Sequence, residues 1–296
     1  MSPEFLITSP AASVTWHSSC GSRSRSASPT VALTHGVRRR YNRVTMRSHR
    51  SLAGLAIASV VLSSMLVGPA TMVAAEPDLT PPVVTPPRVG LVTQELYAGL
   101  AFMRVAWSGT DVGSGIDRYE QSESRDGGPW TGLYWLYPDH DQRGFFTERT
   151  YQIRIRAQDH ADNLSDFAVG PTFRVSRYSD HNLRITYSGT WTTATSSAYW
   201  NGATKWSTQA GARATITFTG KSIAWVATKG PNRGKAEIWV DGVKNATVDL
   251  YRDPLREQQV PWAKIWTENG THTIQVRVLG TVGRPMVDVD GFVTVE

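Results

Sequence analysis

From Tyr151 to Gln158 apolar and polar positions alternate without a break: Tyr151, Ile153, Ile155 and Ala157 against Gln152, Arg154, Arg156 and Gln158. A period of two puts one face in a core and the other in water, which predicts an antiparallel strand of a sandwich. The same pattern predicts strands near Phe102–Ser108, Ile116–Ser124, Trp130–Tyr134 and Thr172–Val175. Further along, Ala214/Ile216/Phe218, Ile223/Trp225/Ala227, Ala236/Ile238/Val240 and Ile274/Val276/Val278 alternate in the same way. They predict strands over Ala212–Thr219, Ser222–Thr228, Lys235–Val240, Ala246–Leu250, His272–Leu279 and Met286–Val295. Gly113-Ser114-Gly115 and Asp126-Gly127-Gly128 mark turns, while Asp241-Gly242 and Asn269-Gly270 read as hairpin signals. No stretch after residue 76 carries a helical period, so the expected class is all-β.

The N-terminal quarter follows a different pattern. Residues 1–45 are rich in Ser and Arg without apolar periodicity, and are set apart from the fold as a disordered or mis-called upstream extension. Met46-Arg47-Ser48-His49-Arg50 is a short basic segment, Leu52–Val67 an apolar run, and Val73-Ala74-Ala75 a small-residue cleavage pattern. That layout predicts a signal peptide over 46–75. The competing reading, a membrane anchor, meets a run shorter than the ~20 residues that span a bilayer. Glu76–Arg88 holds five prolines and predicts an extended stalk or an edge strand.

Removing the leader changes the charge argument. The chain is +6, but residues 1–75 hold eight Arg, no Lys and one Glu, a net of +7. Residues 76–296 therefore carry −1, the difference between +6 and +7. No basic surplus remains to suggest nucleic-acid binding. The one cysteine, Cys20, also lies in the leader, so the remainder must be held by apolar burial rather than disulfides.

Particular segments resemble known families. Val105-Ala106-Trp107-Ser108-Gly109-Thr110-Asp111, Gly113-Ser114-Gly115-Ile116, Asp126-Gly127-Gly128-Pro129-Trp130 and Tyr151 with Arg154–Asp159 resemble a fibronectin type III or immunoglobulin-like domain of bacterial secreted proteins. That family usually carries Asp-x-Ala-Gly-Asn where this chain reads Asp159-His160-Ala161-Asp162-Asn163, so aspartate stands in place of glycine. The resemblance implies a domain over 89–176, with Tyr151 as the tyrosine-corner residue and Trp107 as a core Trp. Tyr187-Ser188-Gly189-Thr190-Trp191, Ala214–Gly220, Val240-Asp241-Gly242, Gly270–Ile274 and Val289-Asp290-Gly291-Phe292 resemble galactose-binding-like jelly-roll modules. This second resemblance covers 180–296. Together they imply an immunoglobulin-like sandwich followed by a jelly-roll β-sandwich, joined by Ser176–Ser179.

Three site chemistries compete. Tyr199, Trp200, Asn201 and Trp206, with Trp262 and Trp266, could form an aromatic platform for a sugar, since a pyranose C–H face packs on a ring while amides bond its hydroxyls. The alternative is that these aromatics are core and rim residues. Asp111, Asp159 and Asp162 lie in loops expected at one pole and could offer oxygens to calcium; the alternative is turn chemistry. No nucleophile elbow, zinc helix, Walker loop or dinucleotide fingerprint occurs, so no enzyme is expected. The expected protein is secreted, and binds an extracellular or cell-surface glycan through its second half with the first as spacer. The rival is a structural or adhesive module that binds a protein partner; neither nucleic acid nor a membrane span in the mature chain is expected.

Overall fold

The computed structural model describes residues 76–97 and 99–296. The expected extension, the signal peptide and Cys20 lie outside the described residues. Every regular element among the described residues is a strand. No helix there is long and apolar enough to cross a membrane.

The first half contains β1 (Val83–Val84), β2 (Arg88–Leu91), β3 (Leu100–Ala106), β4 (Gly109–Thr110), β5 (Ile116–Arg125), β6 (Thr131–Leu136), β7 (His140–Phe146), β8 (Arg149–Asp159) and β9 (Ala168–Val169). Strand β10 (Phe173–Ser179) leads into β11 (Ile185–Ser188), β12 (Thr192–Thr195), β13 (Ala203–Ser207) and β14 (Arg213–Lys229). The rest are β15 (Lys235–Val240), β16 (Val243–Asp249), β17 (Arg256–Val278), β18 (Val287–Val289) and β19 (Gly291–Val295).

A large antiparallel sheet runs in the order β16-β15-β17-β14-β19-β10-β8-β5-β6, with β11 on β14 and β9 on β8. The small sheets are β2-β3-β7, β12-β13-β18 and the pair β1-β4. In the first half, Val89, Met103, Val105 and Phe145 of the small sheet meet Tyr151, Ile153, Ile155 and Val175 of the large one in a single core. Two layers with one inward face each are what the alternation requires.

The second half explains why two of its strands lose that alternation. Strand β14 is fully buried from Ser222 to Thr228, and β19 throughout. Ile223, Trp225, Ala227 and Phe292 point into the second core, while Ala224, Val226, Val293 and Val295 belong to the first. The two cores therefore share a wall one sheet thick, and a strand buried on both faces reads as a continuous apolar run.

The joining segment follows the same logic. Ser176–Ser179, expected as a linker, is strand: β10 pairs with β8 through Phe173–Val175 and with β19 through Val175–Ser179. The halves are further tied by the Leu91 amide donating to Ser222 Oγ at 3.0 Å and the Leu96 amide donating to the Gln258 carbonyl at 2.9 Å. The proline-rich start is extended and docked, with Val83–Val84 pairing Gly109–Thr110. His140 opens β7 opposite Ala106. Asp241-Gly242 does form the two-residue hairpin, with φ of 50° and 81° as a type I′ turn needs.

Because the wall is common, residues 76–296 should unfold in one transition. Phe292→Ala should lower the stability of both halves together by about 3–5 kcal/mol, read by tryptophan fluorescence and circular dichroism in urea. Two separated transitions would contradict the shared wall.

Candidate functional site

The longest ladder, β14 with β17, contains an irregularity that shapes a groove. Gly220 pairs Gly270 and Ser222 pairs Ile265, so Lys221 alone faces the four residues Trp266–Asn269. A bulge of this kind re-aims side chains beside the ladder. Asn269-Gly270, expected to turn a hairpin, instead rejoins the strand at this bulge. The outcome is an open groove of about 1020 Å³ between the bulge and the first half, where Arg88, Trp107 and Pro171 form the facing side.

The groove sets one aromatic rim beside charged and amide side chains. Trp266 is partly exposed and stacks on His272, with ring centroids 3.9 Å apart. Trp107 is 6% exposed, and its indole N–H has no protein partner among the described residues. Lys221 is half-buried, and burial pulls its ammonium below the ordinary lysine range, opposed by Glu268 and reinforced by Arg88. Asn269 and Glu268 are exposed on the bulge. Aromatic surface beside amides, carboxylates and N–H donors can pack on a sugar ring and bond its hydroxyls.

The expected platform residues are placed differently. Trp200 is 5% exposed and belongs to the first core, so its ring face is not a platform; the core of the neighbouring half consumes it. Asn201 is exposed with φ of 75°, followed by Gly202 at 81°, so it serves a turn whose left-handed backbone favours Asn and Gly. Tyr199 and Trp206 are partly exposed, but neither lines the groove. Trp262 is buried and donates to Asn245 Oδ1 at 3.1 Å. A row of exposed apolar residues was not anticipated: Leu133, Tyr134, Trp135 and Tyr137 on and just beyond β6, the outer strand of the large sheet. The Arg118 guanidinium lies 3.9 Å from the Trp135 ring centroid.

The expected metal residues are partly brought together. Carboxylate oxygens of Asp111 and Asp159 lie with one of Asp78 within 4.8 Å of one another. Asp162 is elsewhere: it takes φ of 68°, the conformation for which the resembled family uses glycine, and accepts from Gln158 Nε2 at 3.0 Å. Asp78 comes from the docked proline-rich start, which no local sequence signal links to these loops. The group has the hard oxygens calcium takes, but it supplies only part of the six to eight required. Much of its capacity is already used by loop donors. Asp159 Oδ1 accepts from the amides of Ala161 and Asn163 at 2.9 and 2.7 Å, and Asp78 accepts from the amides of Thr80 and Ser114 at 3.0 and 2.7 Å. Those backbone donors hold the Asp78 carboxyl below its usual range.

A second carboxylate group is fully buried. Asp180, Asp288 and Asp290 are each 0% exposed. The Asp180 amide donates to the Asp290 carbonyl at 3.1 Å, which sets the two residues side by side just beyond the β10–β19 ladder. Asp180 Oδ2 and Asp290 Oδ1 have no hydrogen-bond partner among the described residues. Asp288 lies 3.1 Å from Arg233 Nε, an ion pair that opposes the upward push of burial on its pKa. Asp290 has no such cation. Burial, then the charges of Asp288, Asp180 and Glu257, push it up to about 8, against a bond from the Trp200 amide.

Two predictions follow from these groups. A carboxyl whose folded pKa is raised contributes stability below its unfolded pKa near 4, and this is lost as pH rises through about 8. Asp290→Asn should therefore match the parent near pH 4 and exceed it at pH 8.5 by on the order of 2 kcal/mol, measured by denaturant melts; a parallel pH profile would refute the assignment. Asp159→Ala should destabilise by about 1–3 kcal/mol at pH 7, since two loop amides and the Asn163 side chain lose their acceptor. Unchanged urea midpoints would show that the loop does not depend on it.

No protein-family model matches the chain. It is 29% identical over 135 residues to an A type blood N-acetyl-alpha-D-galactosamine deacetylase of Flavonifractor plautii, a match covering 45% of this chain and 17% of that protein. It is 28% identical over 81 residues to an A type blood alpha-D-galactosamine galactosaminidase of the same organism, covering 27% of this chain and 8% of that protein. The chain thus spans under a fifth of the curated relatives it matches. Among solved structures, a carbohydrate-binding module, CBM36, in complex with calcium and xylotriose aligns with 41% of this chain and 99% of its own, at 14% identity and a TM-score of 0.28. An alpha-L-rhamnosidase from Dictyoglumus thermophilum aligns with 72% of this chain and 27% of its own, at 12% identity and a TM-score of 0.31. Likenesses with TM-scores this low carry no inference about ligand or mechanism.

Proposed function

We propose that residues 76–296 form a secreted, non-catalytic carbohydrate-binding protein whose second half grips an extracellular glycan, with an immunoglobulin-like first half followed by a jelly-roll module. The groove carries this reading. It sets Trp266, Asn269, Glu268 and Lys221 along one open wall. The two curated relatives support it indirectly. Their names describe two different reactions on galactosamine-containing blood-group sugars, yet the chain matches only 17% and 8% of them. Different chemistry over small matched fractions fits an accessory segment better than a catalytic one.

The immunoglobulin-like reading of the first half has local support. Tyr151 is 2% exposed and its hydroxyl donates to the Phe146 carbonyl, five residues upstream, at 3.3 Å. That is the bond a tyrosine corner makes. Trp107 packs edge-on to Tyr119 in the same core.

A second reading, adhesion to a protein partner, is favoured by the exposed Leu133, Tyr134, Trp135 and Tyr137 at the outer strand of the large sheet. A glycan array probed with residues 76–296 separates the two. Binding weakened at least tenfold by Asn269→Ala or Glu268→Ala, and unaffected by Trp135→Ala, is the result expected of the groove. A blank array from folded protein would discard the glycan reading and leave the β6 surface as the candidate.

A further inference from the structure

The two ends of the large sheet are built differently. At one end β16 carries Lys244 and Asp249, with Lys244 Nζ 2.7 Å from Glu237 and Asp249 accepting from Arg284 at 2.9 Å. Charge on an edge strand discourages other strands from adding to it. At the other end β6 has no such protection, since residues 129–138 carry no charge. Leu133, Tyr134, Trp135 and Tyr137 are 54, 52, 43 and 71% exposed. Among the described residues β6 pairs with β5 alone. Its open side therefore presents backbone N–H and C=O groups of alternate residues to any strand that can reach them.

The charges nearest this strand are neutralised within the chain. The Arg118 guanidinium, 3.9 Å from the Trp135 ring centroid, has Asp117 at 3.5 Å. The Arg143 guanidinium, 5.7 Å from the Tyr134 ring centroid, pairs with Glu123 at 2.9 Å. A charged partner finds nothing there to select it, while a second copy meets no repulsion. An antiparallel pair of β6 strands about a two-fold axis sets each open backbone edge against the other, with uncharged apolar and aromatic side chains on both sides.

A bulge limits how far such pairing extends. Gln121 pairs Tyr134 and Glu123 pairs Thr131, so β6 holds one extra residue between them, and Gly132 takes φ of 65°. A bulge turns the strand aside, which leaves the part from Tyr134 onwards to pair. Because β16 is charged, this sheet has one uncharged apolar end per chain, and pairing uses it up in both copies. The assembly closes at two.

We infer that two copies of this chain associate through antiparallel pairing of their β6 strands, continuing the large sheet across a two-fold axis. This goes beyond the glycan reading and does not depend on it, since no residue of β6 lines the groove.

Sedimentation velocity and light scattering on residues 76–296 should show a monomer–dimer equilibrium. Leu133→Lys and Trp135→Lys each place a charge on the exposed edge and should weaken the dimer on the order of tenfold or more, while the diluted monomer melts as the parent does. Residues 76–296 contain no cysteine, so a single introduced thiol reports which strands meet. Under mild oxidation Tyr134→Cys or Trp135→Cys should give a covalent dimer, and Val243→Cys on β16 should not. Monomer at every concentration would overturn the inference and leave the edge to a strand of another protein. A dimer that persists in both lysine variants, or that cross-links at Val243→Cys and at neither β6 position, would place the contact elsewhere and overturn it. Growth past the dimer would overturn the closed pair.

Discussion

Burial of β14 and β19 on both faces is the constraint on which the rest of the molecule depends. Alternate residues of the same two strands are consumed by two different cores, with Trp225 and Phe292 on one side and Val226 and Val293 on the other. Neither half closes its core without this wall. Each side chain there is fixed by neighbours on its own face, and a backbone shift that suited one core would open the other. The ladder through β10 extends the constraint, since one strand is hydrogen-bonded to β8 at its start and to β19 at its end.

The groove is a consequence of that rigidity. A continuous ladder between β14 and β17 would leave a flat sheet edge-on to the first half. The bulge breaks it where the first half approaches, so that Lys221 and Trp266–Asn269 face Arg88 and Trp107 across an open space. The close approach of the halves beside it also depends on a small residue. A Cβ on Gly90 would clash with the Ile265 side chain, which would have to move.

The buried carboxylates show the opposite balance between packing and charge. Asp288 offsets its burial with Arg233, whereas Asp290 sits among Asp180, Asp288 and Trp200 and is held towards the neutral form. Carboxylates at such a junction tie loop backbone to strand, as Asp290 does for the Trp200 amide at 3.0 Å and Asp288 for the Thr228 amide at 2.9 Å. Satisfying those amides inside a wall inaccessible to water requires an acceptor, and the electrostatic cost falls on the acid.

Much of the fold was legible in the chain, because local causes set it. Alternation in Tyr151–Gln158 and Ala214–Phe218 defines strands whatever surrounds them, and Asp241-Gly242 dictates its own turn. Asn269-Gly270 misled, since the same dipeptide also suits a bulge, and only the partner strand distinguishes the two. Trp200 reads as exposed or buried with equal ease in a sequence; the face of a core that lies outside its own half decided it. Asp111 and Asp159 were recognisable as oxygen donors in turn-forming loops, but their meeting with Asp78 depends on how a proline-rich segment docks many residues earlier. The sequence by itself determined an antiparallel all-β chain, since side-chain period and turn chemistry act over a few neighbours. The tertiary structure alone decided that the two cores share a sheet, that Lys221, Arg88 and Trp107 face one groove, and which aromatics remain at the surface, because each depends on contacts between residues far apart in the chain.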